Sequence, residues 1–287
     1  MKNILIIFVF FHSNLLFSQL SFKELSGLIK LNDSMYIPYN LYLNKINDTI
    51  ISGYSVTDKD GAHETKSLIK GTYNSENKIL KFNEYDIVYT KSSFDSFDFC
   101  FVYFENKIKS FKNLNLLQGD FFGKFQNGNK CLNGTLLLAN KVKIEAKVEK
   151  VQKKLDKLNY KKFVEKKPVK IDSIKLKNIN ANENLNIFIK SKFVTISVFD
   201  SGKIDNDRVD LFVNNKLLLE NYTIKKEKKS IPLSIKNKDT NVKVVALNEG
   251  TSAPNTVKII IEGDGIYAET RTTLKTGESA KLTLTKK

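Results

Sequence analysis

Between Leu20 and Asn140 apolar and polar residues alternate in short runs, broken roughly every ten residues by turn-forming residues. This is the pattern of antiparallel β-strands. "YIPYNLYLNKINDTIISGYSVTD" supplies two strands around the turn "KIND", and "KDGA" at 59–62 predicts a hairpin turn with residues at positive φ. "HETKSLIKGTY", "KILKFNEYDIVYT", "FDFCFVYFENKIKS" and "GDFFGKFQNGNKCLNGTLLLAN" supply the remaining strands. Gly53 and Gly71 fall inside strand patterns, where glycine marks a bulge or tight curvature. The stretch 19–140 is therefore expected to be a barrel-like or meander β domain. In "FDFCFVYF" the period of two puts Phe97, Phe99, Phe101 and Tyr103 on one face, either lining a cavity or filling a small barrel.

The period changes after Asn140. Val148, Val151, Leu155 and Leu158 recur at steps of three and four on a Lys-rich background, which predicts a helix near 145–160 inside a linker spanning 141–169. Pro168 ends it. Alternation resumes over 170–287, with about nine strand candidates from "NLNIFIK" to "SAKLTLTK". Val194, Ile196 and Val198 share one face, as do Val209, Leu211 and Val213. Asn214-Asn215 and "KTGE" at 275–278 read as tight turns. The expected fold class is all-β, with an Ig-like β-sandwich as the C-terminal domain.

The first 18 residues depart from this picture. Lys2 precedes an apolar run from Ile4 to Phe17, and Ser18-Gln19 follows, the layout of a cleaved signal peptide. The run is shorter than the ~20 residues a membrane-spanning helix needs, so the mature chain is expected to be secreted or periplasmic and not membrane-spanning. In that setting the two cysteines, Cys100 and Cys131, are expected to pair. The net charge of +16 is concentrated between Lys141 and Lys177, where fourteen lysines face five acids. Such a segment is either a solvated, self-repelling linker or a contact for an anionic partner. Export argues against nucleic acid and points to an anionic cell-surface polymer or an envelope protein.

Three aspartates, Asp200, Asp205 and Asp207, crowd the connection "VFDSGKIDNDRVDLFVNN". They suit either an ordinary polar turn or a calcium site built from oxygen ligands, and no His or Cys stands near to favour a transition metal. Lys203 and Arg208 could neutralise them without a metal. A second acidic group, Asp58, Asp60, His63 and Glu64 with Ser55 and Ser67, would suit a hydrolase with His63 as base and Ser67 as nucleophile. It lacks a nucleophile-elbow motif, and a His beside an Asp-Gly turn is ordinarily a solvated tip. A glycosidase pair of carboxylates would ordinarily work beside stacking aromatics, and Trp is absent. The expectation is a non-enzymatic binding or structural module with no cofactor beyond calcium, and a secreted hydrolase at the His63 hairpin as the alternative.

The loop Asp200-x-Gly202-x-x-Asp205-x-Asp207, the Asn214-Asn215 hairpin and the later Asn248-Glu249-Gly250…Pro254-Asn255-Thr256 turn together resemble a sandwich-type domain of exported two-domain bacterial β proteins of unassigned function. The resemblance covers about 170–287 and implies the fold but no activity.

Overall fold

The computed structural model describes residues 21–31, 35–140, 174–175, 178–200 and 204–287. The signal peptide and the helical linker expected from the sequence lie outside these residues. The first half forms eight antiparallel strands: β1 (Ser21–Lys30), β2 (Tyr36–Lys45), β3 (Ile50–Thr57), β4 (Thr65–Asn74), β5 (Ile79–Thr90), β6 (Phe101–Lys107), β7 (Leu116–Lys124) and β8 (Lys130–Asn140). Each strand pairs with the next, and β8 returns to pair with β1, so the sheet closes into an up-and-down barrel. Closure leaves only the end of β5, beyond its pairing with β6, to be covered from outside the barrel.

The strand period decides what fills the barrel. Leu25, Leu41, Phe82, Phe104, Leu117 and Leu138 turn inward and pack into one core, while Lys70, Lys81 and Glu105 stand outside. That is the reverse of a membrane barrel, whose apolar face looks outward. The interior is filled by side chains, as expected of a barrel of eight strands.

The aromatic strand corrects the expectation in a useful way. The chain makes a short 3-10 turn at Ser96–Asp98, and β6 begins only at Phe101. Val102 and Phe104 face the barrel core. Phe101 and Tyr103 face outward, where Phe101 packs with Ile87 and Phe188. Phe97 is exposed. The aromatic face thus serves a contact between the two halves and neither lines nor fills the barrel. Gly53 and Gly71 sit in regular pairing; the register shifts between β4 and β5 fall at Lys66/Ser67 and Leu68/Ile69.

The second half holds β9 (Ile174–Lys175), β10 (Ile179–Asn180), β11 (Asn184–Ile189), β12 (Phe193–Phe199), β13 (Arg208–Val213), β14 (Lys216–Thr223), β15 (Lys229–Ser234), β16 (Asp239–Ala246), β17 (Asn255–Gly263), β18 (Ile266–Leu274) and β19 (Ser279–Lys286). One sheet runs β14-β13-β16-β19-β11, and the other runs β10-β18-β17-β12-β15. Their inner faces share a core that includes Ile187, Ile196, Leu211, Val244, Ile259 and Leu282. β11 and β19 pair in parallel. Asn214 and Asn215 take φ of 49° and 64°, the left-handed geometry their turn requires.

The two halves share a sheet. The end of β5 pairs with β11, Tyr89 opposite Ile187 and Thr90 opposite Asn186, so the barrel wall runs on into the second half. Tyr89 is buried in the second half's core. Lys287 Nζ bonds Asp86 and the Ile87 carbonyl, Lys91 pairs with Glu183 at 3.2 Å, and Asn186 Nδ2 donates to the Ser92 carbonyl at 2.8 Å.

Candidate functional site

The connection from β12 to β13 carries the chain from one sheet to the other, and the aspartates lie on it. Asp205 and Asp207 are inward positions in the alternation that continues through Val209 and Leu211, while Asn206 and Arg208 face solvent. Asp200, Asp205 and Asp207 are only 3%, 6% and 2% exposed. This is not the solvated turn that polar composition suggests.

A second loop covers them. The β16–β17 connection, which holds the later turn of the sequence motif, folds over Asp205 and Asp207. Thr256 N donates to Asp207 Oδ2 at 2.8 Å, and Thr251 N to the Asp205 carbonyl at 2.9 Å. Asn248 ties the loops together: its Oδ1 accepts from Arg208 N at 2.6 Å and its Nδ2 donates to the Asn206 carbonyl at 3.0 Å. Asn255 Nδ2 donates to the carbonyls of Asn248 and Arg208 at 2.8 and 3.1 Å. Gly250, at φ of 53°, lies so close that a Cβ there would sit 2.8 Å from Asp205 Oδ1. Only glycine suits that position, for both its conformation and its space.

Three buried oxygens in this bracket have no hydrogen-bond partner: Asp205 Oδ1, Asp207 Oδ1 and Asn255 Oδ1. Burial, with repulsion from Asp205, Asp200 and Glu249, pushes the Asp207 carboxyl up to about 6 despite the Thr256 N–H. The neutralisation by Arg208 that the sequence allows is not made, because its guanidinium meets Asn221 Oδ1 at 3.3 Å on the outer face. Lys203 lies outside the described residues. Among the described residues no three His, Cys, Asp or Glu side chains form a metal-holding group by themselves. The oxygens without partners here belong to two carboxylates and an amide.

The His63 hairpin assembles differently from the expectation. Asp58 and Asp60, not Gly61, take positive φ. Asp58 Oδ2 accepts from the His63 backbone N–H at 2.9 Å, and Glu64 accepts from Tyr89 OH at 2.6 Å and from Asp60 N. The hydroxyl beside the His63 ring is that of Ser92, 3.3 Å from Nδ1. Ser67 is buried in the barrel wall opposite Ser55.

Sequence reasoning missed a buried carboxylate inside the barrel. Glu84 accepts from Tyr39 OH at 2.9 Å, from Ser55 Oγ and from Val102 N at 2.8 Å. Burial raises its pKa, and these three donors oppose the rise. The inward alternation Leu80, Phe82, Glu84 was the available signal. Cys100 and Cys131 are joined, with Cα atoms 6.0 Å apart, as their count and setting led one to expect.

No protein-family model, curated protein or solved structure matches this chain.

Proposed function

We propose that the chain is an exported, non-enzymatic binding or structural module of the cell envelope, whose partner is an anionic cell-surface polymer. The observation that carries this reading is a run of exposed lysines, Lys225, Lys226, Lys228 and Lys229, interrupted by Glu227. It connects β14 to β15, the outer strands of the two sheets, so it presents concentrated positive charge at one border of the second half. The Lys-rich segment 141–177 adds charge of the same sign. The sheet shared through β5 and β11 supports a structural role, since a binding border on one half is held rigidly against the other. We read the two-sheet second half as an Ig-like sandwich, in keeping with the motif resemblance, and the first 18 residues as a signal peptide.

The test is retention on an anionic polysaccharide matrix against a neutral one at low and high salt. Retention should fall steeply with salt and weaken when Lys225, Lys226, Lys228 and Lys229 are changed together to Glu. Equal behaviour on both matrices would sink the reading. The alternative, a secreted hydrolase at the His63 hairpin, is supported by the contact between His63 and Ser92. It requires turnover of a model ester that disappears in Ser92→Ala.

A further inference from the structure

We propose that Asp205, Asp207 and Asn255 bind a divalent cation of the calcium type, which clasps the segment leading into β13 of one sheet to the start of β17 in the other. The argument rests on what the three partnerless oxygens share. All are acceptors, all belong to residues at least nine-tenths buried, and none can satisfy another. Leaving such atoms bare costs several times a hydrogen bond's net worth. A single proton shared between two of these oxygens would still leave the third bare. A hard cation serves all of them at once.

Asn255 is the independent observation. It is no part of the acidic run, and it comes from the opposite sheet. Its Nδ2 is committed to two carbonyl oxygens, which fixes which end of the amide is oxygen. That oxygen is fully buried without a donor. Asp207 accepts from the N–H of Thr256, the residue after Asn255, and Asn255 Nδ2 binds the carbonyl of Arg208, the residue after Asp207, so the amide and this carboxylate belong to one bracket.

The ligand class follows from the donors. Two carboxylates, an amide oxygen and nearby loop carbonyls are the hard, flexible oxygen set that calcium prefers; zinc and copper favour nitrogen and sulfur. Magnesium demands stricter octahedral geometry and holds its waters more tightly, so it should bind more weakly. The spacing is unlike an EF-hand, where the ligands come from one continuous loop. Here the residues ahead of β13 in one sheet and the first residue of β17 in the other contribute, so the cation would act as a fastener between the sheets.

The experiment is thermal melting of chelator-stripped protein, titrated with calcium chloride and separately with magnesium chloride. Calcium at a hundred times its dissociation constant should raise the midpoint by roughly 5–10 °C, and magnesium by less. Asp207→Asn and Asp205→Asn should each lose the calcium response. Asp48→Asn, in the exposed β2–β3 turn, should keep it. Calorimetric titration of the unchanged protein provides a readout that does not depend on the variants folding, and should give one calcium per chain. Identical midpoints in calcium and chelator, with no binding heat, would overturn the proposal and assign the three oxygens to buried water or a proton. A full calcium response in Asp207→Asn would overturn it equally.

Discussion

Asp207 sits where the fold would sooner have a neutral group. With its carboxyl pushed up to about 6 from an ordinary 3.8, the folded chain keeps a proton that the unfolded chain has already lost between those values. Unfolding then releases that proton, and the cation-free protein loses stability as pH rises through this window. Its melting midpoint in chelator should be higher at pH 5 than at pH 7.5. Asp207→Asn should flatten that difference and raise the midpoint at pH 7.5. Glu84 shifts in the same direction, so the comparison with the variant, and not the raw slope, isolates Asp207. The aspartates were legible in the sequence, and so was their shared orientation. Their burial was not, because Asp and Asn form solvated turns as readily as buried brackets. The lid that decides between these, Asn248 to Thr256, lies about forty residues downstream and is brought in only by the packing of the two sheets.

At the scale of elements, the disulfide spans a strand. Cys100 precedes β6 and Cys131 lies on β8, with β7 between them. The sulfurs cross over Gly123 of β7, where a Cβ would stand 2.9 Å from Cys131 Sγ and closer still to Cys100 Sγ. Gly123→Ala should therefore leave more free thiol after oxidative refolding and lower the unfolding free energy read from urea titration by about 2 kcal/mol, the usual cost of overpacking. Reduction of the unchanged protein should cost roughly 3–4 kcal/mol, the chain-entropy value for a loop of this length. The strands themselves were largely readable, since alternation survives in nearly every one. β1 escapes the pattern because its inward positions, Leu25, Gly27 and Ile29, include a glycine that blurs the period. The alternation places the start of β6 four residues too early, at Phe97, because Phe97 and Phe99 continue the aromatic run into a turn. Composition cannot mark a strand start when both sides of it are equally apolar.

For the whole molecule, the decisive contact is the one local patterns carry least: the pairing of β5 with β11. Nothing in β5 itself distinguishes a barrel stave from a shared strand except its length of 12 residues. Phe188 fills the contact beside it, against Ile87 and Phe101. Phe188→Ala should cost about 3 kcal/mol and, by loosening this seam, split a single unfolding transition into two in calorimetry. One coincident transition in the variant would show that the halves are coupled by other means. The shared strand also bears on how such a chain could be cut and recombined. A fragment beginning at Ile174 would carry β11 with its barrel-side pairing lost, and a barrel alone would end β5 in unpaired backbone. Each piece would bear a fresh sheet edge seeking another copy of itself. This second half is therefore no portable cassette: a graft onto another protein would have to bring the end of β5 along or supply a substitute for it.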